Sequence, residues 1–351
     1  MDMMISGLSA FRYYRTPPQV LALLPRLPRP VEARALPEHP MVKYVFGLPL
    51  NTLAEDANLR SCSHNVATMV WTGALPPGAE TGSFWCERIC SPLFTLFTLA
   101  RVLPVVELAL AMYEFCGEFS VYRPAPELED RIPDILGGWK RVMGPNGRGC
   151  DLWMRPPLVA VDELVEFANL CEGRYGCRAF VEAANLVFGV TRSPLEVQAA
   201  LLLGAPRVKG GYGFALKTNH VMRLTAAAKK IALRDYCVAD LYLESPDGSK
   251  AIDVECQGDI AHSAISAVES DADRTTALEA MGTEVVLLSH GQLASETRFA
   301  HVAEHIAKLL GLKLRPKTER MRKTERDLRR RIFIDWRTLG DPTQKSRQLY
   351  G

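Results

Sequence analysis

The sequence lacks any uninterrupted apolar run of the about eighteen residues needed to cross a bilayer. Its longest candidate, Leu93 to Leu110, is interrupted by Arg101, Pro104 and Glu107, so the chain reads as soluble and without a membrane partner. The opening Met1-Asp2-Met3-Met4 has neither a basic start nor an apolar stretch before a small-residue cleavage site, which argues against a secretory signal. No internal repeat or low-complexity tract is present, which sets aside solenoids and arrays. The nine cysteines, at 62, 86, 90, 116, 150, 171, 177, 237 and 256, lack the dense spacing of a disulfide scaffold and read as reduced thiols of a cytoplasmic protein. Cys62, His64, Cys86 and Cys90 offer soft ligands for zinc. Their spacing matches no usual knuckle, and cysteine is commonly a buried apolar residue.

What is present is ordinary globular material. At 351 residues, 48% hydrophobic and 23% charged, the chain is long enough for two domains with apolar cores. The net charge of +2 hides an uneven distribution: 311–351 hold 13 Lys/Arg against 5 Asp/Glu, leaving a net of −6 on the first 310 residues. A cationic tail on a mildly acidic body suits a polyanionic partner, although a solvated amphipathic helix would read the same way.

Prolines crowd the first 160 residues, where short strands and loops are expected before an apolar helical pattern from Ser91 to Phe115. Gly137-Gly138 and Gly144-Pro145-Asn146-Gly147 mark a loop-rich stretch with a boundary after it. Helical stripes over Val161 to Phe188 suggest a bridge. The next helix opens at Ser193-Pro194-Leu195-Glu196, with serine as N-cap, proline first and glutamate placed to return a hydrogen bond to the cap. Strand composition follows near Asn219–Leu224, Cys237–Leu243 and Ala251–Cys256, then a helix over Asp271–Met281, a strand over Glu284–Leu288 and a helix over Glu296–Leu310. The expected fold class is α/β: an αβββαβ core behind a mixed α+β N-terminal accessory domain. The expected divisions are 1–155 for the accessory domain, 156–192 for the bridge, 193–311 for the core and 312–351 for the basic tail.

Side chains alternate along a strand, so Asp253, Glu255 and Gln257 share one face and Asp240, Tyr242 and Glu244 share another. A hairpin between the two strands brings Asp240 to Glu255 or Asp253. Crowded carboxylates repel, and a divalent cation relieves that repulsion; the competing reading is a hairpin whose solvent face is acidic. Mg²⁺ accepts hard oxygen ligands and keeps several waters, so two carboxylates are enough.

Ala239-Asp240-Leu241-Tyr242, Ile252-Asp253-Val254-Glu255-Cys256-Gln257-Gly258, His262, Asp273-Arg274, Leu278 and Gly282 resemble, in order and composition, the very-short-patch-repair-type nucleases of the PD-(D/E)XK superfamily. The match spans about Ser193 to Leu310, roughly a third of the chain. It implies a restriction-endonuclease-like core and a Mg²⁺- or Mn²⁺-dependent endonuclease acting on DNA, in repair or phage defence. It also implies Asp240 and Glu255 as metal ligands, Glu196 completing the metal site, and His262 as general acid or phosphate ligand. Gln257 departs from the superfamily's usual lysine: glutamine can orient a water only by hydrogen bonding. Glu196 is equally well explained by capping, and His262 by a surface loop. Arg274 reads as reaching either a phosphate or Asp271, a structural ion pair being the plainer case.

On the tail, Arg320, Lys323, Arg326 and Arg330 fall near helical spacing and suit sequence-independent phosphate contacts. Phe333 and Trp336 suit either stacking on an unpaired base or packing against the body. In the N-terminal half, Ser63–Leu75 and Ile89-Cys90-Ser91-Pro92 through Ala100 resemble type IV abortive-infection antitoxins. That likeness implies an accessory domain for regulation or recognition, with a partner protein as a candidate ligand. The competing functions are a catalytically weakened nuclease fold that binds DNA as a regulator and an antitoxin-like protein using the C-terminal fold as scaffold.

Overall fold

The computed structural model describes residues 4–28, 32–60, 63–133, 135–144, 146–258 and 273–341. The chain forms two compact units, one of Met1–Val142, Gly149–Asn185 and Asp335–Gly351, the other of Met143–Arg148 and Leu186–Ile334. Both mix helices with sheets, as the α/β reading expects.

The first unit opens with β1 (Met4–Ile5), α1 (Gly7–Arg15) and α2 (Pro18–Leu21), followed by β2 (Leu50–Ala54), β3 (Val66–Val70), β4 (Glu80–Thr81) and β5 (Ile89–Cys90). These strands form one sheet in the order β3-β2-β1-β5-β4. The apolar run from Ser91 is two helices, α3 (Pro92–Leu99) and α4 (Val105–Cys116), because Pro104 cannot continue the first. Ser91 caps α3 by accepting from Phe94 N, with Pro92 in the first helical position. Then come β6 (Phe119–Val121), α5 (Pro126–Glu129), β7 (Ile135–Leu136), β8 (Trp139–Met143) and β9 (Gly149–Met154), forming a second sheet in the order β6-β9-β8-β7.

α6 (Val161–Leu170) and α7 (Cys177–Ala184), expected as a bridge, belong to this first unit. The reason is apolar. Phe167 and Phe180 meet Phe97 of α3 with ring centroids 6.2 and 5.5 Å away, and all three rings are buried. The expected tail is also divided, since Trp336 is buried with its edge toward Phe119. Arg15 donates 2.7 Å to Trp336 O and 2.8 Å to Glu114 Oε1. Glu114, fully buried, also accepts from Ser120 Oγ and Val121 N, so its charge is paired and hydrogen-bonded.

In the second unit α8 (Pro194–Gly204) is apolar around its circumference and buried throughout from Glu196 to Gly204. It packs on β10 (Leu216–Arg223), β11 (Tyr236–Glu244) and β12 (Ala251–Gln257). A short helix, α9 (Ala226–Ala232), joins β10 to β11. A helix over 273–279, α10, then precedes β13 (Thr283–Ser289), α11 (His290–Ala294), α12 (Glu296–Leu309) and α13 (Glu319–Ile332). The sheet order is β10-β11-β12-β13, with the first two pairings antiparallel and the last parallel. A parallel pair requires a crossover, and α10 lies in it. Apart from α9, the element order from α8 to β13 is the expected helix, three strands, helix, strand. Gly211 follows α8 so closely that a Cβ there would lie 2.0 Å from Ala205 O, leaving no room for a side chain. Among the described residues no helix is long and apolar enough to cross a membrane.

Candidate functional site

The alternation read along β11 is the one observed. Cys237, Ala239, Leu241 and Leu243 are buried, with half-buried Val238, Asp240 and Tyr242 between them. Leu241 lies opposite Val254 and Tyr242 opposite Asp253. Past Leu241–Val254 a side chain takes over the ladder: the Asp240 carboxylate accepts from Cys256 N at 2.9 Å, while Glu255 Oε1 lies 3.5 Å from Asp240 N. Asp240 and Glu255 therefore meet side by side where the two strands part.

The reading of this strand face as a solvent face does not hold for Asp253. Asp253 is 0% exposed and its Oδ1 has no hydrogen-bond partner, although alternation along β12 placed it on the polar side. Arg274 of α10 fills the space expected for water. One nitrogen, Nη2, donates 2.6 Å to Val238 O, 2.9 Å to Asp253 Oδ2, and to Glu255 Oε1. Arg274 forms an ion pair, but its partners are Asp253 and Glu255; Asp271 lies outside the described residues.

Glu196 does return to the cap, through the Ser193 hydroxyl and the amide before it. Its Oε2 accepts from Arg192 N and its Oε1 from Ser193 Oγ, both at 2.8 Å, and Ser193 Oγ accepts from Glu196 N. It is nevertheless buried, and Asp240 is close enough to repel it. Burial, then Asp240, raises the Glu196 carboxyl to about 8. Burial, then Glu255, raises Asp240 to about 6, with Cys256 N, Arg274 and Arg192 opposing. Burial, the Glu255 charge and a side-chain hydrogen bond with Glu255 raise Asp253 to about 9. The Cys256 thiol is held well above its ordinary value by burial and by these same four carboxylates. The site thus carries more negative charge than its desolvated surroundings accommodate. Arg192, which tempers both Glu196 and Asp240, escaped the sequence reading, although its place just before the N-cap put it beside Glu196.

Gln257 ends β12 half-buried, opposite Ser289 of β13 and two residues beyond Glu255. His262 lies outside the described residues. Among the described residues no group of three or more His, Cys, Asp or Glu side chains has the arrangement of a metal centre. In the zinc alternative Cys86 and Cys90 are buried and His64 is exposed, while Cys62 lies outside the described residues.

The basic residues fall on α13, but not all are free. All four are exposed, but Arg326 pairs with Glu319 and Glu296, and Arg330 with Asp327. Helical spacing also buried Glu325, which holds Lys317 at 2.5 Å and Arg329 at 3.3 Å. Arg330 and Phe333 line a groove of 620 Å³ with Gln198 and His290. Trp336, the other stacking candidate, is buried against Phe119.

Comparisons with protein-family models, with curated proteins and with solved structures found no match to this chain.

Proposed function

We propose that the second unit is a divalent-metal-dependent endonuclease core of the PD-(D/E)XK kind, acting on phosphodiester bonds in DNA. The observation that carries this reading is the meeting of Asp240 and Glu255 at the parting of β11 and β12, in a unit whose elements, apart from α9, run helix, three strands, helix, strand. Mg²⁺ or Mn²⁺ suits the donors: hard carboxylate oxygens, crowded enough that burial and mutual repulsion raise Asp240 and Glu196. Two protein carboxylates satisfy Mg²⁺, which retains water, so the reading does not need a third close ligand. Asp240 and Glu255 would hold the ion, with Glu196 behind Asp240. A bound ion of this kind lowers the pKa of its water and stabilises charge at phosphorus.

The chain's own groups supply orientation. Asp240 is fixed by Cys256 N and Glu196 by its cap, so neither carboxylate must be ordered when the site is used. Gln257, two residues along the strand from Glu255, would orient water through its amide. The exposed Arg320 and Lys323 of α13 offer sequence-independent attraction to the DNA backbone.

The test is cleavage of supercoiled plasmid with Mg²⁺ or Mn²⁺ by the full chain and by Asp240→Asn and Glu255→Gln, each checked by circular dichroism to be folded at the assay temperature. The expected result is nicking by the parent and loss of at least about a hundredfold in both variants. Equal nicking by parent and variants would overturn the assignment. A second reading, a nuclease fold that binds DNA without cutting it and acts as a regulator, is favoured by one observation: Arg274 already neutralises Glu255. Salt-sensitive binding without cleavage by any form would support that reading.

A further inference from the structure

The acidic site holds a cation of its own. Arg274 enters from α10 and directs one guanidinium nitrogen at three acceptors on two strands: Val238 O of β11, and Asp253 Oδ2 and Glu255 Oε1 of β12. Its side chain is 17% exposed, and those of its two acidic partners 0% and 18%, so these are desolvated pairs held in fixed geometry. The satisfaction is incomplete, since Asp253 Oδ1 remains buried without a partner. Asp240 does not share the guanidinium, because Cys256 N holds it instead. Glu255 alone belongs both to the pair proposed to bind metal and to the pair bound by arginine.

We infer that Arg274 is a resident counter-ion competing with a divalent cation for Glu255, so that metal loading of the Asp240–Glu255 pair requires Arg274 to give up its bond to Glu255. This rests on the metal-site reading above and adds to it a competition that sets affinity. A guanidinium and a divalent ion repel at this range, and one Glu255 oxygen cannot serve both at full strength. Arg274 keeps Asp253 as an anchor when it releases Glu255, so displacement is a short swing of a planar, forked cation. That geometry suits a phosphate as the next partner. Glu255 is thus countered by a cation without metal, and the carboxylate pair holds metal weakly.

The experiment measures Mn²⁺ binding at pH 7.5 by the full chain and by Arg274→Gln, using the electron paramagnetic resonance signal of free Mn²⁺. Loss of the competitor should tighten Mn²⁺ binding by about tenfold or more, a difference of roughly 1.4 kcal/mol. Glu255→Gln in the Arg274→Gln background should abolish that gain. Equal affinities of parent and Arg274→Gln, with both binding, would overturn the counter-ion role and leave the metal site standing. Weaker binding by Arg274→Gln would overturn it in favour of an arginine that organises the ligands. Binding by neither would remove the metal site and the competition together. Since Arg274→Gln leaves buried carboxylates unpaired, a Mg²⁺ titration of the unaltered chain followed by ¹⁵N NMR of the arginine Nε–H groups supplies a readout independent of folding. The Arg274 signal should shift and exchange faster as Mg²⁺ saturates, and an unmoved signal at saturation would overturn the inference.

Discussion

Replacing Glu196 with glutamine separates the two roles combined in that residue. The amide keeps the shape of the carboxylate and can serve both contacts of the cap, with its oxygen toward Arg192 N and its NH₂ toward Ser193 Oγ. What it removes is charge. Burial, with Asp240 behind it, raises the carboxyl from 4.5 to about 8. An acid whose pKa is higher folded than unfolded binds more protons in the folded chain between those two values. Stability is therefore greatest below about pH 4.5 and declines as pH climbs toward 8. Each pKa unit corresponds to about 1.4 kcal/mol. Because Asp240 shares the repulsion, roughly 2 kcal/mol of the penalty near pH 8 falls to Glu196. Glu196→Gln should then raise the melting temperature at pH 8 by about 5 °C, and the gain should vanish near pH 5. Circular-dichroism melts in chelator, from pH 5 to 8, would read both. A variant less stable than its parent at pH 8 would refute the reasoning, because the carboxylate would then be attracting more than it repels.

Two further outcomes follow from the second unit. Gly211→Ala, whose Cβ would lie 2.0 Å from Ala205 O, should cost about 3 kcal/mol or more, since a backbone carbonyl cannot step aside as a side chain does; a urea midpoint within error of the parent would contradict the close approach. Replacing exposed Arg320 and Lys323 together with alanine should weaken DNA binding about equally for unrelated sequences and reduce the slope of log affinity against log salt by about 2. A slope unchanged between 50 and about 200 mM salt would place the backbone contacts elsewhere.

The sequence was most informative where local chemistry decides structure. Alternation disclosed the buried Leu241, Leu243, Ile252 and Val254, and the Ser193-Pro194-Leu195-Glu196 pattern specified the α8 cap in atomic terms. It was least informative where partners are distant. Asp253 should face the polar side by period, yet Arg274, 21 residues later, makes its full burial tolerable. No local pattern announces such a pairing. In the first unit, β1, β4 and β5 are two residues each, and β1 draws its partners from residues 52–53 and 89, so a periodicity window has nothing to detect. Helical spacing on α13 correctly signalled one charged face but could not distinguish Arg326 and Arg330, bound to acids of the same unit, from exposed Arg320 and Lys323.

The bond from Cys256 N to the Asp240 carboxylate makes one backbone amide a reporter on the whole site. While that oxygen is engaged by the chain, the amide proton is shielded; whatever draws the oxygen away exposes it to solvent exchange. A ligand that draws this oxygen away would therefore be detectable by isotope labelling at a single peptide group, whatever reaction the ligand undergoes.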